Sequence, residues 1–244
     1  MSNQPLGGKS VLVTGGARRV GRGIALVLAE AGADVAITYR TSRAEAIETA
    51  RAIENLGRRA LAIECDVRSE DSVRAAVADA FGHFGRLDLL VNNAAVFESA
   101  PLDSLTLAQW DAVFETNARG PFLVAREALS HLRAAKGRII NIGSLGGIHA
   151  WAGHAHYCAS KAALHMLTLA MAKAFAPEVS VNCVAPGWIE LDGNSAESAA
   201  HFAAKTPMRR NGSVDDVAQA VLFFAAGPHF VTGQVLAVDG GLGL

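Results

Sequence analysis

The order of apolar runs along the chain constrains its fold more than any single residue does. Seven runs of strand length occur at Ser10–Thr14, Asp34–Tyr39, Leu61–Cys65, Asp88–Asn92, Arg138–Ile142, Ser180–Val184 and Gln234–Val238. Between them lie longer Ala-rich stretches with apolar positions three and four apart. These are Gly21–Ala31, Arg43–Leu56, Ser69–Phe84, Leu107–Ala134, Tyr157–Phe175 and Val214–Ala225. Such alternation predicts β-α-β units and a parallel sheet. Strands that are nearly continuous in apolar residues predict a sheet covered on both faces. No linker, repeat or low-complexity tract interrupts the pattern. The expectation is therefore an α/β fold of one doubly wound domain over residues 1–244, with a seven-stranded parallel sheet and helices on both faces. Right-handed crossovers place the loops after the strand carboxyl ends along one rim, where ligands bind in such sheets.

Composition narrows the function classes. The 22 Lys and Arg nearly balance the 23 Asp and Glu, and the formal net charge is −1. The basic residues are scattered, so neither nucleic acid nor an anionic membrane surface is an expected partner. Cys65, Cys158 and Cys183 are far apart and form no C-x-x-C pair, so buried thiols are expected and no metal site. The start, Met1–Gly8, is polar and lacks the apolar stretch of a signal peptide. No run is long enough to cross a bilayer, and the cytoplasm is the expected compartment.

Directly after the first strand comes Thr14-Gly15-Gly16-Ala17-Arg18-Arg19-Val20-Gly21. Glycine at a strand-to-helix turn lets the backbone approach a pyrophosphate, which the helix N-terminus then holds. A tight turn alone can also use such glycines. Dinucleotide sites that select NAD carry an acidic residue at the end of the second strand. Here the residues are Tyr39-Arg40-Thr41-Ser42. A carboxylate would repel a 2′-phosphate, whereas Arg40 can fork onto one, with Arg18 as a second cation. Arg40 read alone is a surface arginine; with the acid missing, NADPH is the expected cofactor. Asp66-Val67 follows the third strand, where Asp66 can accept from an adenine amino group or simply shape a turn. Asn93-Ala94 follows the fourth, where Asn93 can meet a ribose or hold the turn.

Tyr157 and Lys161 are four apart and share one helix face. A free tyrosine titrates near ~10, and a neighbouring ammonium favours its phenolate. By itself Y-x-x-x-K is common and reads as a surface pair. Ser144 changes that weighing. It lies thirteen residues upstream, just past the fifth strand, and the loop between can return it to Tyr157, to hydrogen-bond a carbonyl oxygen as charge develops. Asn117 sits mid-helix, an unfavourable place for asparagine, which points to a held water or a local bend.

Taken together these motifs resemble the short-chain dehydrogenase/reductase family along nearly the whole chain. The matching elements are Thr14-Gly15…Gly21, Asp66-Val67, Asn92-Asn93-Ala94, Asn117, Ser144, Tyr157-x-x-x-Lys161, Val184-Ala185-Pro186-Gly187 and Val231-Thr232-Gly233…Asp239-Gly240-Gly241. The resemblance implies a Rossmann domain binding NADPH/NADP+ and reducing a small-molecule carbonyl. It implies Tyr157 as proton donor, Lys161 on the nicotinamide ribose and lowering the tyrosine pKa, and Ser144 positioning the carbonyl. It also implies a relay water at Asn117, with Pro186 and Gly187 close to the nicotinamide. Gly15, Arg18, Arg19, Gly21, Arg40, Ser42, Asp66, Val67, Asn93 and Ala94 complete the implied cofactor contacts, and a homotetramer is the family's usual assembly.

Two departures bear on the substrate. The family's middle glycine falls at Arg19, and Phe97 stands four past Asn93. Both resemble the pteridine reductase branch, although Ser144 stands where that branch carries aspartate. Phe97 then either stacks on a pterin or packs at the pocket wall. Thr206-Pro207-Met208-Arg209-Arg210…Val214-Asp215-Asp216 instead resembles 3-oxoacyl carrier-protein reductases, with Arg209-Arg210 either a carrier contact or a solvated pair. Trp188–Lys205 is expected to be a substrate lid. His149, Trp151 and Trp188 are candidate pocket residues; His154 and His156 beside them read as packing. Three readings stand: a ketone or 3-oxoacyl reductase, a pteridine reductase, and a non-catalytic NADPH-binding regulator, against which the complete Asn117, Ser144, Tyr157 and Lys161 set argues.

Overall fold

The structure, a computed structural model, describes residues 4–244. Part of the polar start expected over Met1–Gly8 lies outside those residues. The strands are β1 (Ser10–Val13), β2 (Asp34–Tyr39), β3 (Ala60–Glu64), β4 (Leu89–Asn92), β5 (Arg138–Ile142), β6 (Ser180–Pro186) and β7 (Val235–Val238). All pair in parallel, in the order β3-β2-β1-β4-β5-β6-β7. The helices are α1 (Arg19–Glu30), α2 (Arg43–Asn55), α3 (Glu70–Phe84), α4 (Leu107–Phe114), α5 (Gly120–Ala135), α6 (Ala155–Phe175), α7 (Ala196–Lys205) and α8 (Val214–Ala226). The doubly wound expectation holds in every strand.

Period-two geometry sorts the strand residues onto two faces. Val11, Val13, Val35 and Ile37 face Ile24 and Leu28 of α1, Ile53 of α2, and Val217 and Val221 of α8. Leu12, Leu90 and Ile139 face Val77 of α3, Val124 and Leu132 of α5, and Met171 of α6. Each such side chain, fully buried, contributes about 1.5–3 kcal/mol. Both faces must be apolar because both are covered, which is why the strands read as unbroken apolar runs.

The sheet is locked at the edge of β1 and β4 away from their carboxyl ends. The buried Asp88 carboxylate accepts from the Ser10 backbone N–H at 3.0 Å, from Arg86 Nε at 2.7 Å and from Lys9 Nζ at 3.1 Å. Burial alone would push its pKa up, but Arg86, the Ser10 N–H and Lys9 hold it below the ordinary aspartate value.

Two elements depart from the expected helices. The single helix expected over Leu107–Ala134 is divided by a π-helical turn, Glu115–Arg119. Asn117 lies at the centre of that turn, so the irregularity expected there takes the form of changed helical winding. A helix also forms inside the expected lid: α7 starts at Ser195, whose hydroxyl accepts from the Ser198 N–H, and no α7 residue is buried.

Candidate active site

The strand order reverses between β1 and β4, and a cleft of about 1410 Å³ opens at the carboxyl ends of the strands there. Its first wall is the turn after β1. Gly15 has φ +64°, and a Cβ on Gly21 would lie 2.2 Å from the Gly15 carbonyl oxygen. Glycine is thus required at 21 for the first turn of α1 to close on the strand end. Asn93 stitches the two sides of the switch point. Its Nδ2 donates to the Thr14 and Gly15 carbonyls at 2.9 and 3.0 Å, and Thr14 Oγ1 accepts from the Asn93 and Ala94 N–H groups. Its side chain therefore does the turn-holding work.

Arg19, where a middle glycine was expected, adopts the left-handed region at φ 51°. For a non-glycine residue that costs roughly 1–2 kcal/mol. Arg18 occupies the N-cap of α1 without giving it a side-chain cap. Both arginines line the cleft, with Arg40 and Ser42 from the end of β2 and with Asp66 and Val67. Arg40 is exposed; the end of β2 carries no carboxylate of its own, and the charge of Arg40 helps hold down the Asp66 carboxyl past β3. Asp66 is forked by Arg68, Nε to Oδ1 at 2.9 Å and Nη2 to Oδ2 at 2.6 Å, and this pair holds the Asp66 carboxyl below its usual value. A turn role for Asp66 is visible as well, since its Oδ1 accepts from the Arg68 N–H at 3.0 Å.

The second wall is built by β5 and α6. Past β5 the backbone stays extended at Ser144, whose Oγ accepts from the Gly146 N–H at 3.0 Å. The first turn of α6 carries Tyr157, and the next carries Lys161, which is 3% exposed. Lys161 Nζ donates to the Ile142 carbonyl at 2.8 Å and lies 5.8 Å from the Tyr157 ring centre. Burial pulls the Lys161 pKa down to about 8. Burial pushes the Tyr157 phenol up, opposed by the hydroxyl of Ser144 beside it. The lowering of Tyr157 expected from Lys161 is not found: burial raises the phenol, and the group that opposes it is the Ser144 hydroxyl. The phenol is protonated at neutral pH.

Asn117 is wholly buried and its side chain is fully occupied. Oδ1 accepts from the Val96 N–H at 2.8 Å, while Nδ2 donates to the Val96 carbonyl at 2.9 Å and to Ser160 Oγ at 3.1 Å. Ser160 Oγ in turn donates to the Tyr157 carbonyl at 2.7 Å. The π-helical turn thereby ties the loop after β4 to the start of α6.

Beyond Tyr157 the cleft is aromatic. Phe97, 61% exposed, meets the Tyr157 ring edge-on at 4.8 Å, and Trp151 lies nearly parallel to it at 6.2 Å. Trp188 stacks on Phe202 of α7 at 5.1 Å, and His149, Pro186 and Gly187 also line the cleft. Phe202, and His154 whose ring lies tilted against Phe97 at 4.6 Å, belong to the wall too. The sequence reading did not place Phe202 there because it did not resolve a helix in the lid. Arg210 is paired with Asp216 at 2.6 Å at the protein surface, and Arg209 donates to the Ala204 carbonyl at 3.0 Å. No cluster of three His, Cys, Asp or Glu side chains converges among the described residues.

A family model described as Enoyl-(Acyl carrier protein) reductase matches residues 15–243. The 3-oxoacyl-[acyl-carrier-protein] reductase FabG of Staphylococcus aureus is 37% identical over 240 residues, covering 96% of this chain and 98% of that protein. Among solved structures, a blue fluorescent protein from a metagenomic library in complex with NADPH superposes with a TM-score of 0.93. It is 39% identical, with 99% and 100% of the two chains covered. A short chain dehydrogenase from Burkholderia cenocepacia in complex with NADP gives 0.92 at 41% identity, with 98% and 100% covered.

Proposed function

Because the chain belongs to the short-chain dehydrogenase/reductase family, we propose that it is an NADPH-dependent reductase of a 3-oxoacyl thioester or general ketone, with Tyr157 as proton donor. The observation that carries this reading is the convergence of Ser144, Tyr157 and Lys161 on one wall of the cleft whose far end is Arg40. The cleft fits the cofactor. A cradle that a Cβ at Gly21 would fill lies at the uncapped start of α1, a site suited to a pyrophosphate. Arg18 and Arg40, with no acid at the end of β2, suit a 2′-phosphate. The relatives seen with NADPH and NADP support the same choice.

NADPH, when bound, supplies the hydride for the carbonyl carbon. The chain supplies the rest. Ser144 and Tyr157 place two hydroxyls side by side for one carbonyl oxygen, as donors aimed where negative charge develops. Tyr157 gives its proton to that oxygen. Lys161, charged below about pH 8, stabilises the phenolate left behind and stands toward the nicotinamide ribose with Pro186 and Gly187. Asn117 fixes the loop that carries Phe97, besides the relay water that the family resemblance assigns to it. Trp188–Lys205 forms a lid whose α7 rests on the cleft through the Trp188–Phe202 stack.

Phe97 favours one second reading. A large aromatic left 61% exposed beside the proton donor is suited to a planar ring, and with Arg18-Arg19 this supports a dihydropterin. A screen of NADPH oxidation over ketones, acetoacetyl thioesters and dihydropterins separates the readings. Turnover on ketones or thioesters, with NADH a poor substitute, is expected. Dihydropterin turnover alone would favour the second. Tight NADPH binding without turnover on any of them would make the protein a regulator.

The assembly proposed is a homotetramer. Leu107, Phe122 and Met166 are exposed on α4, α5 and α6, and Phe230 and Leu244 are exposed near β7. Light scattering should return about four times 25.4 kDa. No helix among the described residues is long and apolar enough to cross a membrane, and the cytoplasm is the proposed compartment.

A further inference from the structure

Tyr157 and Lys161 mark a stripe on α6 that continues, four residues on, to His165. His165 is 8% exposed. Its Nε2 accepts from the Ser144 backbone N–H at 3.4 Å, and the Gly147 backbone lies against the ring. The ring passes between two glycines. A Cβ on Gly143 would stand 2.3 Å from His165 Nε2, and a Cβ on Gly147 would stand 2.6 Å from Cε1 and 2.8 Å from the Lys161 backbone.

We propose that His165 is the positioning residue of the active site: its neutral imidazole clips the Ser144–Gly147 turn to α6 and so sets Ser144 beside Tyr157. The inference rests on the reading that Ser144 and Tyr157 carry the reaction. Because Nε2 accepts from the Ser144 N–H, the proton of the neutral ring sits on Nδ1. The charged groups facing it reinforce this. Burial and the Lys161 ammonium draw its pKa down to about 4, while the neighbouring Cys183 thiol, pushed up to about 12 by burial, stays neutral. The clip therefore holds one protonation state across the working pH range. No aliphatic side chain can replace it, because the buried Ser144 N–H would lose its partner.

The first test uses the unaltered enzyme. Nitrogen NMR of 15N-histidine-labelled protein should show one neutral, Nδ1-protonated histidine that does not titrate between pH 8 and pH 5. That signal must vanish in His165→Gln. A His165 signal titrating near 6.5, or carrying its proton on Nε2, overturns the proposal. The second test is kinetic. His165→Leu should lower kcat about 10- to 100-fold while KM for NADPH stays within about twofold, and His165→Gln should recover part of the loss. Combined with Ser144→Ala, His165→Leu should add little further loss, because both act on one hydroxyl. Losses that multiply, or a folded His165→Leu enzyme within twofold of the parent, sink the idea. If His165→Leu does not fold, the NMR result and His165→Gln decide. A fully active Tyr157→Phe enzyme would instead sink the reading beneath it and leave the NMR prediction standing.

Discussion

At the end of the cleft beside β1 the chain builds with backbone. Gly15 and Gly21 let strand and helix touch, Asn93 binds two carbonyls of that turn, and the side chains added there, Arg18 and Arg40, reach into solvent. At the end beside β5 it builds with buried side chains. Lys161, Asn117, Ser144 and His165 are each 8% exposed or less, and each is held by specific hydrogen bonds, to Ile142, to Ser160 and between Ser144 and His165. The contrast teaches where each end is vulnerable. The first fails when an atom is added, and the second fails when a polar atom is taken away.

The largest effect belongs to the buried end. Tyr157→Phe should cut kcat about 10³-fold or more, within or beyond the usual range for a lost acid, while NADPH affinity by fluorescence titration stays within about threefold. Residual turnover above about a tenth would break the contrast at its centre. Next comes the backbone end. Gly21→Ala puts a methyl 2.2 Å from the Gly15 carbonyl and should weaken NADPH binding at least about 30-fold. Gly82→Ala on α3 meets nothing within 4 Å and should be neutral or stabilise by about 0.5–1 kcal/mol on thermal melting. Equal outcomes for the two glycines would refute the steric account. Arg40→Ala should raise KM for NADPH about tenfold and leave that for NADH unchanged, the size expected of one charge-assisted contact at an exposed site. The smallest effect is in pH. Lys161 loses its charge as pH rises through about 8, while Tyr157, with its raised pKa, keeps its proton. Reductive kcat/KM should therefore be level below that value, halve near it and fall above it. A profile flat to pH 9.5 would show that the lysine charge does not matter.

The same contrast explains what could be read from the residues. The strands were legible because a doubly covered sheet demands apolar runs, and observed strand ends differ from expected ones by only one or two residues. Tyr157 and Lys161 were legible from one helical step. His165, a second step along the same stripe, was not, because nothing in the chain says which distant turn an imidazole will clasp. Phe202 was hidden for a related reason: the partner that gives it meaning, Trp188, lies fourteen residues away across a loop. Asn117 announced an irregularity, but the chain did not say that it would take the form of a π-helical turn.

That turn, Glu115–Arg119, has a consequence for how the protein tolerates change. One residue in an α-helix advances the side chains by about 100°. A π-helical turn absorbs an extra residue, so the stripe that α4 presents and the buried stripe of α5, Leu123, Val124, Ala128 and Leu132, are set in different phases. The helix carries its own frameshift. Deleting Asn117 would restore regular winding, yet it would take away the side chain that binds both backbone polar groups of Val96. The irregular winding thus acts as a gearbox between two surfaces that must each mesh with a different neighbour, and the tooth at its centre is Asn117.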